Sequence, residues 1–149
     1  MNLQEHTRPD KLEYYSFIWS EARLVIAALA LVIGGVPPLL AFNPLPSLAS
    51  TFGSLLTVAW IISGLASLYL LYRWNAGGKK VFGGTQQQDT IAFFIMIITG
   101  LNLGITGLLR VNIGMSISSN SVIFIITGIV YLVTAVYLYR RWTSAGKKL

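Results

Sequence analysis

The chain has 149 residues, a net charge of +6 and no cysteine. Hydrophobic residues make up 54% and charged residues 11%, less than half the charged share of an ordinary soluble domain, and mean hydropathy is +0.67. This excludes a water-soluble globule, a disordered tail and a disulfide scaffold, and makes a small integral membrane protein the reading.

Residues 1–21 form a lead-in segment. They hold Glu5, Asp10, Glu13 and Glu21, which is not a positive stretch before a short apolar core, so no cleavable signal peptide is expected. Asp10 and Glu13 follow Pro9 with the spacing of a capping box. Leu12, Tyr15 and Trp19 then recur at helical spacing. These features predict a short amphipathic helix lying at the inner interface, with Glu21 and Arg23 still among the headgroups.

Residues 22–149 read as the membrane domain. Leu24 to Tyr72, Thr90 to Leu109 and Val111 to Tyr139 contain no Lys, Arg, Asp or Glu. A spanning helix needs about 20 apolar residues, and the first run is divided by the turn signal Asn43-Pro44-Leu45-Pro46-Ser47. Four transmembrane helices are therefore predicted, over Ala22–Phe42, Thr51–Tyr72, Thr90–Leu109 and Ser121–Tyr139. Continuously apolar runs exclude the short alternating segments of a barrel. Pro37-Pro38 should kink the first span, because proline removes a donor and clashes with the preceding turn. Gly77-Gly78-Lys79-Lys80 and Gly83-Gly84 read as a flexible loop and lack the spacing of a phosphate loop.

Ten of the eleven basic residues fall in the lead-in, the middle loop and the tail; Arg110 alone falls on the other side. The positive-inside rule then predicts both termini in the cytoplasm and a cell (inner) membrane location. Trp and Tyr cluster at the same predicted ends, as interfacial anchors do.

The end of the second span matches the end of the fourth at an offset of 68. Tyr69, Leu70, Arg73, Trp74, Lys79 and Lys80 fall on Tyr137, Leu138, Arg141, Trp142, Lys147 and Lys148. A weaker match at 69 sets Gly35, Leu39 and Asn43 on Gly104, Leu108 and Asn112. The pattern predicts a tandem parallel repeat of two helical hairpins, about 22–81 and 90–149, related by a pseudo-two-fold along the membrane normal.

Few residues carry chemistry. His6 is the sole histidine, so no metal site, haem or other cofactor is expected, nor any enzyme activity. Asn102 is a costly amide near the middle of a span, suited either to a polar path or to interhelical packing. Gly100 and Gly104 form a Gly-x-x-x-Gly that permits close helix approach. Arg110 reads as a residue reaching the outer headgroups or as an anion-attracting group at an outer mouth. Arg73, Lys79, Lys80, Arg140, Arg141, Lys147 and Lys148 are candidate contacts to anionic lipid. The expectation is a non-enzymatic scaffold or accessory subunit working as a homo-oligomer or with other membrane subunits. The alternative is an oligomeric channel or transporter with a path near Asn102. The bilayer, not nucleic acid, is the expected partner.

Overall fold

The structure, a computed structural model, describes residues 8–42 and 45–149. The described chain is helical: α1 (Pro9–Val32), the short α2 (Pro38–Ala41), a 3-10 turn (Pro46–Leu48), α3 (Ala49–Ala76), α4 (Gln87–Leu109), the short α5 (Ile113–Ile117) and α6 (Ser121–Ser144). Four of these, α1, α3, α4 and α6, are long and apolar enough to cross a membrane. Their outward faces carry exposed aliphatic side chains such as Leu65, Ile98, Ile126 and Val133, as a lipid-facing surface requires. The chain is thus a multi-pass helical bundle, as its composition implied.

The first span differs from the expectation. Among the described residues no separate helix precedes it; one unbroken helix runs from Pro9 to Val32, and the expected boundary at residue 21 falls inside it. Pro9 sits at the first helical position, where its fixed φ is already helical and its missing N–H is not needed. No capping box forms: Arg8 is the N-cap without a side-chain cap, Asp10 pairs with Arg8 at 3.5 Å, and Glu13 turns inward to Arg73. The far end is set by Gly34 and Gly35, both at positive φ, whose amides close onto Leu31 O and Ala30 O. Pro37-Pro38 therefore does not kink the span. Pro38 instead opens α2 beyond it.

The long helices form a ring in the order α1, α3, α4, α6, closed by α6 against α1; α1 also touches α4 across the centre, whereas α3 and α6 do not meet. The closest seam is α3 on α4. A Cβ at either Gly64 or Gly104 would stand 2.7 Å from the other's Cα, and one at Gly107 would stand 3.1 Å from Thr57 O. With no side chain at these positions the backbones approach, gaining dispersion and weak Cα–H contacts that a lipid solvent does not supply. On the opposite seam Gly128 faces Ala28 O in the same way.

The end of the bundle where α1 begins and α6 ends carries the dense core. Phe17 stacks on Trp142 at 4.7 Å, and Trp74 meets Phe93 and Phe94 at 6.3 and 5.0 Å. The loop between α3 and α4 is not loose: Val81 and Gly84 form an antiparallel bridge, which plugs Val81, wholly buried, into this core.

The strong half of the sequence repeat corresponds to matched hydrogen bonding. At the end of α3, Gly77, Gly78 and Lys79 donate to Arg73, Asn75 and Trp74 carbonyls at 2.8, 3.3 and 2.9 Å; at the end of α6, Ala145, Gly146 and Lys147 donate to Arg141, Thr143 and Trp142 carbonyls at 2.9, 3.3 and 2.9 Å. Contacts pair Glu13 with Arg73 and Asp89 with Arg141, and Phe17 with Trp142 and Phe93 with Trp74. Glu13 to Asp89 and Phe17 to Phe93 are offsets of 76, not 69.

Candidate functional site

The continuous α1 carries polar residues to mid-depth. At 1.5 Å per residue Arg23 lies roughly 20 Å from the start of the helix, and Ser20, Glu21 and Arg23 are all buried. The groups that meet them also lie near the middles of their helices. Arg23 Nη1 donates to Thr99 Oγ1 at 2.9 Å and Nη2 to the Met96 carbonyl at 2.7 Å, both on α4. Trp19 Nε1 donates to Ser63 Oγ on α3 at 3.0 Å, and Ser63 donates onward to Ala59 O at 2.7 Å.

Gly100 makes the space for this arrangement. A Cβ there would collide with Ser67 Oγ and come within 3.0 Å of the Arg23 guanidinium. The two glycines of the Gly-x-x-x-Gly thus have different tasks: Gly104 admits the α3 backbone, and Gly100 admits an arginine.

The cluster is incompletely satisfied. Arg23 Nε, Glu21 Oε1, Ser20 Oγ and Ser67 Oγ are buried without a hydrogen-bond partner. Glu21 does not reach the guanidinium: among the described residues the ion pairs are Arg8–Asp10, Arg73–Glu13 and Arg141–Asp89. Arg23 is held by a carbonyl and a hydroxyl, with no ion-pairing carboxylate among the described residues.

Arg23 borders a half-open cavity of about 720 Å³ between the long helices. All four long helices contribute to its wall, through Arg23, Trp60, Thr99, Asn102, Thr127 and Tyr131 among others. Its roof is built by residues 37–39 and 112–118, from the two connections at the end opposite the termini. Asn102 holds that roof. Its Nδ2 donates to Asn112 Oδ1 at 2.9 Å, and its Oδ1 accepts from the Ile113 amide at 2.9 Å. Asn112 Oδ1 also caps α5 by accepting from Met115 N at 3.1 Å. The amide in the span thus lines the cavity and fastens its own connection beside it.

The other expected residues fall elsewhere. Arg110, in the left-handed conformation at φ 59°, closes α4 and donates to Thr57 Oγ1 at 2.8 Å; it is not part of the cavity wall. Arg73 binds Glu13 at 2.7 Å, and Arg141 binds Asp89 through Nε at 2.8 Å and Nη2 at 2.7 Å. Asp89 also accepts from Tyr137 Oη at 2.6 Å. These two arginines are therefore engaged within the bundle, while Lys79, Lys80, Arg140, Lys147 and Lys148 are exposed. His6 and the Asn43-Pro44 turn lie outside the described residues. Among the described residues no group of acids or histidines could hold a metal.

Arg23 is the residue that sequence reasoning set aside. The signal was present: Gly34-Gly35 and Pro37-Pro38 must end the helix near Ile33, and about 20 residues counted back from there place Arg23 well inside the span.

No protein family matches the chain, and neither curated proteins nor solved structures give a significant match.

Proposed function

We propose that this protein is a non-enzymatic multi-pass membrane protein whose bundle interior receives a small molecule, as the binding step of a carrier or transporter. The observation that carries the reading is Arg23, a buried cation near the middle of α1 on the wall of the cavity. An ionisable residue in that position is expensive in a bilayer and marks a ligand or ion pathway by default. The cavity volume lies within the usual range of small-molecule sites, about 300–1,000 Å³. Purified protein in liposomes tests it: saturable uptake or binding of a solute, lost in Arg23→Gln, is expected. No uptake or binding across a broad solute panel would refute it.

The scaffold or accessory-subunit reading stands second. The small-residue face that motivated it is occupied within the chain, Gly104 by Gly64 and Gly100 by Arg23 and Ser67, so assembly would have to use the aliphatic outer faces. Crosslinking in native membranes separates the two readings.

A tandem origin from one hairpin belongs to the same proposal. The matched ends of α3 and α6 and the paired Glu13–Arg73 and Asp89–Arg141 bridges support it. An orientation with both termini in the cytoplasm, where Lys79, Lys80, Arg140, Lys147 and Lys148 would meet anionic headgroups, is a further part of the proposal.

A further inference from the structure

We infer that the ligand of the cavity is a monoanionic amphiphile, a carboxylate on an aliphatic chain, with its carboxylate against Arg23 and its chain directed to the roof. This rests on the cavity being a binding site and specifies what it binds.

Charge comes first. A guanidinium has five N–H donors, and among the described residues Arg23 donates only to Thr99 Oγ1 and Met96 O. Nε has no partner, and no carboxylate comes within ion-pair distance among the described residues. A buried charge held only by dipoles is costly, and a counter-ion with fork geometry relieves that cost. The one surface next to Arg23 that can supply such an ion is the cavity. Stoichiometry then selects the head. One guanidinium balances one negative charge, so a singly charged head matches the site, whereas a dianion such as a phosphate monoester would leave one charge unbalanced.

Shape selects the tail. Away from Arg23 the wall is aliphatic and aromatic, with Ala30, Leu56, Trp60, Leu103, Met115 and Phe124 leading to the roof. A hydrophilic anion would leave this surface unmatched, whereas an alkyl chain would cover it. The polar cluster and the apolar chamber therefore read as the head and tail ends of one site.

Trp60 provides the test. It lies on the cavity wall, one helical turn nearer the roof than Ser63, where the end of an alkyl chain would pass. Terminally brominated dodecanoate and its neutral counterpart, terminally brominated dodecanol, are titrated against the protein in nanodiscs, and tryptophan quenching is read. The expected result is saturable quenching by the acid, at least tenfold weaker affinity for the alcohol, and loss of most of the quenching in Trp60→Phe. Arg23→Gln should bring the acid down to the affinity of the alcohol, with Arg23→Lys between. Should Arg23→Gln fail to fold, the acid-to-alcohol ratio on the unaltered protein decides alone. Ala30→Phe, which narrows the chamber and leaves Arg23 in place, should weaken binding of both probes. Equal affinity for acid and alcohol overturns the anionic assignment and leaves a neutral ligand in the cavity. Absence of saturable quenching by either probe, or quenching unchanged in Trp60→Phe and Ala30→Phe, overturns the cavity-binding reading itself.

Discussion

Gly64 on α3 and Gly104 on α4 face each other with no room for a side chain: a Cβ on either would lie 2.7 Å from the other's Cα. The obstacle is backbone, which cannot rotate away. Gly104→Ala should therefore push the helices apart and cost about 1–3 kcal/mol, in the range of core overpacking, and Gly104→Leu should cost more. Thermal unfolding in detergent checks both. Gly53, whose Cβ would meet nothing within 4 Å, is the control and should tolerate alanine.

Asp89 is fully buried and accepts three hydrogen bonds, two from Arg141 and one from Tyr137. Asp89→Asn leaves a partly buried arginine without its counter-charge. Breaking a fully buried pair costs about 3–5 kcal/mol; here Arg141 keeps 35% of its side chain exposed, so about 2–3 kcal/mol is expected after solvent screening. Glu13→Gln should cost less, because Glu13 retains 12% exposure and bonds Arg73 through one nitrogen. Denaturation of the two variants side by side gives the order.

Asn102→Leu should free the roof without loosening the bundle. The variant removes the acceptor of the Ile113 and Gly114 amides and the donor to Asn112. Hydrogen exchange is expected to rise at least tenfold at Ile113 and Gly114, while the amides around Thr99 keep their protection. Uniform acceleration along α4 would show instead that Asn102 supports the helix.

Gly78 and Gly146 follow the ends of α3 and α6 at φ 75° and 71°, where an L side chain costs about 1 kcal/mol. A Cβ at either meets nothing within 4 Å, so the cost of alanine is backbone strain alone. Gly78→Ala and Gly146→Ala should thus lower stability by closely similar amounts, which paired melting curves would reveal.

Much of the fold was legible from charge-free runs, because in lipid each span must satisfy its own backbone. Three of the four spans fell within a few residues of their observed ends. The first did not, since Glu21 and Arg23 were read as headgroup residues and the helix was started after them. Polar side chains that are buried by tertiary contact give no local signal of their burial; Thr99, Met96 and Gly100, which receive Arg23, lie far along the chain. The same holds for Asn102, whose cost in a span was evident but whose partner Asn112 was not. The small-residue motif was visible, while the surface it meets was not, and an intramolecular seam resembles an oligomer interface in sequence.

The closure of the ring by α6 against α1 has a consequence for biogenesis. The ribosome delivers α1 first, yet the groups that receive Arg23 belong to α4 and the stacking partner of Phe17 is Trp142 on α6. A charged residue at the centre of a lone inserting helix is unfavourable by about 2.5–3.5 kcal/mol. Of the four long helices the first synthesised is thus the last to be satisfied, and it must wait beside the insertion machinery, or shallow in the membrane, until the other three arrive.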